Sequence, residues 1–218
     1  MHRWQWARWD GRVDASLVQV RRGGTPLRFT MMETIREFAR DELAAAQEAG
    51  AAARRHAEYF VTLAESRPDG LARELDNLRA ALRWVISEQE PDAALRLCGA
   101  LWRFWSDHGH LAEGLGWARS ALALPGADGA AASARIAALT GAAAMAINLS
   151  AFGEAAQACE RLVALARREG SAHNVIVALN TRGLLGEDVT GTPMLAPTMR
   201  RPSPLPSAAA TLTLARRR

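Results

Sequence analysis

A chain of 218 residues with 49% hydrophobic content can bury one core, or two small ones, and its net charge of +4 with a pI of 10.2 invites the idea of a nucleic-acid binder. The charge distribution argues against that. Residues 1–28 carry six Arg against two Asp, residues 189–218 carry five Arg and no acid, and the middle, 29–188, carries 16 Arg against 21 acidic residues, a balance of −5. A mildly acidic body between two basic ends is the opposite of a domain with a phosphate-binding face. All 27 basic residues are arginine, so the phosphate loop G-x-x-x-x-G-K-[ST], which needs a lysine, is excluded. No apolar run reaches the roughly 18 to 20 residues of a membrane helix, and "MHRWQWARWDGRVD" lacks the continuous apolar stretch of a secretory signal. The expected location is the cytoplasm.

In chain order, "SLVQV" (16–20) and "LRFTM" (27–31) are short strand-like runs around Gly23-Gly24, a hairpin signal because glycine accepts the positive φ of a tight turn. From Glu33 the period becomes helical, with Ile35, Phe38, Ala39 and Leu43 on one face and Thr30 or Thr34 placed to cap the start. A second helix near 51–66 carries the stripe Ala57, Phe60, Val61 and Ala64. A third near 71–88 spaces Leu71, Leu75, Leu78, Leu82 and Val85 at threes and fours, which predicts a buried seam. Further helices are expected near 91–107, 111–124, 130–149, 153–169 and 172–184, packed as antiparallel neighbours.

Two of these segments repeat. In 100–126, Leu101 and Trp105 share a face, Gly109 takes the turn, and Leu111, Gly114, Ala118 and Ala121-Leu122 follow. In 152–170, Gly153 is expected in the turn, with Ala155, Ala158, Leu162 and Leu165-Ala166 at matching offsets. "PGADGAA" reads as an insertion between them. Small residues at these offsets let helices approach closely, the pattern of tetratricopeptide-like hairpins in which each pair buries its open face on the next. A third repeat begins at "NVIVALNTRGLLGEDVTG" (174–191). The tail that follows (192–218), rich in Pro, Ser, Thr and Ala, has a composition that cannot bury a core.

The succession of a charged hairpin, "RFTMMETIREFARDEL" (28–43), "RRHAEYFVTLAE" (54–65), "ELDNLRAALRW" (74–84) and "ALRLCGALWRFWSDHGHLAEGLGWARSALALPG" (94–126) resembles the segment after the nucleotidase core of bacterial STAND-type regulators. These are large signal-transduction ATPases, often joined to DNA-binding domains of the LuxR type or the bacterial transcriptional-activator type. The resemblance covers about 16–185, with "ETIREFA" and "ELDNLRAAL" carrying most of it. It implies that the hairpin is the wing of a winged helix and that the helices open a tetratricopeptide-like superhelix. The helices of a winged helix ahead of the wing do not appear in "MHRWQWARWDGRVDA", and the nucleotidase motifs are missing, so the expectation is a truncated or split regulator.

The expected architecture is therefore all-α, a short superhelix of tetratricopeptide-like antiparallel hairpins over 31–188. A partial winged-helix edge at 1–30 precedes it and a disordered basic tail at 189–218 follows. Its expected partner is a protein or a small-molecule effector on the helical surface, with an ATPase or DNA-binding chain of the same system as a second, nucleic acid weak at most, and no membrane.

No nucleophile elbow, H-E-x-x-H helix or paired-cysteine motif is present, so no catalytic residue, metal ligand or cofactor is assigned. Cys98 and Cys159 read as small buried hydrophobes. Asp107, His108 and His110 in "SDHGH" read as a polar interhelix turn rather than a metal site, and His56 as a helix-surface residue. Trp102, Phe104, Trp105 and Trp117 read as packing between repeats or, alternatively, as an aromatic pocket. Trp102, Trp105, His108, His110 and Trp117 are the candidate interaction surface. Arg21, Arg22, Arg200 and Arg201 are candidate phosphate contacts, and Trp4, Trp6 and Trp9 among Arg3, Arg8 and Arg12 could stack on bases. That grouping supports the alternative reading, a small basic nucleic-acid-binding protein acting through its ends.

Overall fold

A computed structural model describes residues 17–21, 28–67 and 70–183. Strands β1 (Gln19–Arg21) and β2 (Arg28–Thr30) pair antiparallel, with Val20 opposite Phe29. Eight helices follow among the described residues: α1 (Glu33–Ala45), α2 (Ala49–Ser66), α3 (Leu75–Ser87), α4 (Pro91–Asp107), α5 (Leu111–Leu122), α6 (Ala132–Asn148), α7 (Phe152–Arg168) and α8 (Ala172–Gly183). The third helix is entered through a tight 3-10 turn at Leu71–Glu74, so the regular helix starts later than its apolar spacing predicts. "PGADGAA" contains a second such turn, Ala127–Gly129.

Helices α2, α4, α6 and α8 pack in succession as one layer, and α3, α5 and α7 cover that layer from one side. The predicted seam is real: Leu71, Leu78, Leu82 and Val85 are buried, with Leu75 packed against the same core. Leu95, Leu101, Trp105, Leu115 and Met145 extend that core through α4, α5 and α6, while Leu139, Leu162, Leu165 and Ala178 form a second cluster toward α8. Cys98 and Cys159 are free and buried, and burial pushes the Cys98 thiol up to about 12, which keeps it protonated and unreactive at neutral pH.

Five connections share one shape. Residues 46–48, 88–90, 108–110, 149–151 and 169–171 each consist of a helix C-cap, one left-handed residue and the first residue before the next helix. The backbone closes the first four in the Schellman pattern: Glu48 N–H donates to Leu43, Glu90 to Val85, His110 to Trp105 and Ala151 to Ala146, all at 2.8–2.9 Å. Glycine holds the left-handed place at Gly109 and Gly170, but Gln47, Gln89 and Ser150 hold it elsewhere, at φ of 55–58°.

Three local expectations are corrected. Gly153 lies in the first turn of α7, and Ser150 occupies the place that matches Gly109, because this turn tolerates a polar residue in the left-handed region. Neither Thr30 nor Thr34 caps α1; the N-cap is Met32, with no side-chain cap, because Thr30 is still in β2. The apolar face of α1 forms, but none of its residues is buried, and Phe38 is 64% exposed. The tail, Arg22, Arg200, Arg201 and the tryptophans of the N-terminal segment lie outside the described residues.

Candidate interaction surface

Small residues place α4 against α6. A Cβ on Gly99 would lie 2.6 Å from that of Ala137, and one on Gly141 would lie 2.5 Å from the Cβ of Trp102. At such crossings two backbones approach closely, and a run of alanine leaves shallow relief on the open side of the layer. The result is a groove of about 600 Å³ across α2, α4 and α6, floored by Ala64, Gly99, Ala100, Ala134 and Ala137. Its charges satisfy one another. Arg96 donates from Nε and Nη2 to the two Glu65 oxygens at 2.8 and 2.7 Å, and its Nη1 lies 3.9 Å from Asp92. The Arg96 hydrogen bonds hold the Glu65 carboxyl below its ordinary range. Such a surface can recognise shape and a few polar groups.

The aromatic and histidine residues around the α4–α5 turn do not gather into one pocket. Trp105 is 1% exposed and belongs to the core, so it is removed from the candidate surface; its ring lies against Gly114, where a Cβ would come within 2.6 Å of it. Trp102 is half-buried over Gly141, with the Arg103 guanidinium 5.1 Å above its ring. His108 is the C-cap of α4 and His110 the residue before α5, so "SDHGH" is an interhelix turn. His108 Nδ1–H donates to the Phe104 carbonyl at 2.9 Å, and its ring lies 4.4 Å from that of Phe104. Of the five candidates His108 alone borders a depression of about 470 Å³ between α4 and the 3-10 turn at Leu71, together with Arg103 and Asp107.

Around Trp117 and His110 the organising group is Glu113, which composition and spacing had not singled out. Arg79 on α3 donates from Nε and Nη2 to its two oxygens at 2.7 Å each, Trp117 Nε1–H donates at 3.3 Å, and His110 Nδ1 lies 3.8 Å away. These donors, Arg79 foremost, hold the Glu113 carboxyl at about 2. A carboxyl depressed in the folded state contributes stability that is complete above its ordinary value of 4.5 and is lost as pH falls toward 2. Glu113→Gln should therefore cost about 1–2 kcal/mol at neutral pH, a figure reduced for solvent screening, and the gap between the two proteins should narrow below about pH 4.5. Urea titrations at several pH values check this; a gap independent of pH would show that Arg79 gains little from the charge.

His56 is half-buried rather than on the open helix surface. Its ring lies 4.6 Å from Phe60 and bonds Asn77 of α3, and burial lowers its pKa. Arg21 ends β1 opposite Arg28, which places it on the hairpin as expected. Among the described residues no three His, Cys, Asp or Glu side chains converge as metal ligands, and no helix is long and apolar enough to cross a membrane.

The fold and its open groove define a helical-hairpin array whose accessible feature is a surface. Comparison with known proteins adds a likeness. The chain is 36% identical over 121 residues to proteins of Mycobacterium tuberculosis and Mycobacterium bovis named as HTH-type transcriptional regulators. The match covers 50% of this chain and 14% of those relatives, so the chain corresponds to a small part of their length. No family model matches the chain, and no solved structure matches it.

Proposed function

We propose that the chain is a non-enzymatic, tetratricopeptide-like interaction module of a STAND-type transcriptional regulator in the bacterial cytoplasm. It would present the α2–α4–α6 groove to a protein or small-molecule signal and pass binding on through the packing of adjacent hairpins, either to an ATPase and DNA-binding chain of the same system or within a longer regulator. The observation that carries this reading is the groove itself, a continuous surface across three successive helices whose ionic groups are already paired with each other. The similarity to HTH-type regulators supplies the context. No cofactor enters the proposal.

Nucleotide tests the non-enzymatic part. With no lysine for the phosphates, Mg-ATP should be neither hydrolysed nor bound, and the melting temperature of the full chain should not move. A rise of several degrees would overturn the reading. The alternative, nucleic-acid binding through the Arg-rich ends, makes a different prediction because such affinity comes from arginine–phosphate contacts and counterion release. Fluorescence anisotropy on a labelled duplex should show at most weak binding that disappears near physiological ionic strength. Tight, salt-resistant binding would put the alternative first.

A further inference from the structure

On the other side of the array, between α5 and α7, runs a cleft whose electrostatics oppose those of the α2–α4–α6 groove. Two adjoining depressions of about 450 and 290 Å³ share Leu139 of α6 and Arg161 of α7, so they form one channel with an apolar floor. Four arginines border it: Arg119, Arg135, Arg161 and Arg168. Two of them already hold carboxylates. Arg119 donates to both oxygens of Glu154 at 3.1 and 2.9 Å, and Arg135 donates to Asp128 at 2.9 Å. Arg161 and Arg168 are exposed, and among the described residues neither has a carboxylate partner. Seven residues apart on one helix, they stand about 10 Å from each other along the same face.

We infer that this cleft is a docking site for an acidic peptide segment, with Arg161 and Arg168 receiving two of its carboxylates and its apolar side chains lying on the Leu122, Leu139 and Leu165 floor. The ligand chemistry follows from the cleft's own solution: each arginine in it that is paired is paired with a carboxylate, in one case through both oxygens. Guanidinium groups favour planar oxyanions in that geometry. A peptide fits better than a nucleic-acid backbone. The surrounding body, 29–188, has a balance of −5, and Glu154 and Asp128 flank the channel, so a long polyanion is repelled whereas a short acidic segment with apolar residues meets both the arginines and the floor.

The inference rests on the interaction-module reading only in taking the partner to be a protein. Stabilisation by ATP would sink that reading and leave this one standing. The test uses the full chain and a fluorescein-labelled peptide of about twelve alternating Glu and Leu residues, with the Gln–Leu counterpart as control. Anisotropy should show the Glu peptide binding at least tenfold more tightly than the Gln peptide, and more weakly as salt is raised. Arg161→Glu with Arg168→Glu should lose at least tenfold, whereas Arg55→Glu with Arg83→Glu, exposed arginines on α2 and α3, should leave binding within about twofold. All four positions are on the surface, so circular dichroism should confirm an unchanged fold. Failure of the Glu peptide to bind, equal binding of both peptides, or indifference to Arg161 and Arg168 would each overturn the inference. Duplex DNA binding with the same dependence on Arg161 and Arg168 would also overturn it, and would reassign the cleft to nucleic acid.

Discussion

Replacing Trp105 with alanine should lower the stability of the protein by about 3–5 kcal/mol, the cost of emptying a buried aromatic site that cannot collapse. The site cannot collapse because three helices meet on this ring. It rises from α4, lies on the bare backbone of Gly114 in α5, and shares that contact with the Met145 sulfur of α6. Truncation opens a void in the middle of the array, not at its edge. Chemical denaturation should show the midpoint falling steeply while the dependence on denaturant is unchanged. A loss of less than about 0.5 kcal/mol would mean that the indole faces a ligand or solvent instead.

Gly99→Ala should destabilise by about 2–3 kcal/mol, although alanine is the better helix former by about 1 kcal/mol. The added methyl would lie 2.6 Å from the Cβ of Ala137 and 3.2 Å from the Ala138 backbone nitrogen, neither of which can swing away, so α4 and α6 must separate. Gly116→Ala is the matched control. It stands in the interior of α5 with nothing within 4 Å of the new methyl, so the substitution should stabilise by about 0.5–1 kcal/mol. Opposite signs from the same chemical change would establish the close crossing of α4 and α6. Stabilisation by both would show that the two helices are further apart than described.

How much of this was legible beforehand differs from element to element. The apolar period located the helices, because burial on one face leaves a mark at every third or fourth residue; Leu78, Leu82 and Val85 are the plainest case. The connections were harder to read. Glycine is the residue one looks for in the left-handed region, and Gly153 therefore drew attention from Ser150, which does that work. Depth was harder still. The pattern placed Trp102 and Trp105 on one helix, but only the positions of Gly114 and Gly141 on neighbouring helices decide that one ring is enclosed and the other half-open. Glu113 had no local signal, since its partner Arg79 lies 34 residues away.

The five matching turns have a consequence for how the molecule opens. Because five of the seven links between the described helices are the same short connection and each helix touches mainly its neighbours, stability is passed along the row instead of being held in one centre. Amide hydrogen exchange should then follow position in the row. The amides of α4 and α6, enclosed on both sides, should exchange most slowly. Those of α1, where no residue is buried, and of α8, where only Ala178 and Thr181 are, should exchange first, so unzipping starts at the two ends of the row and runs inward.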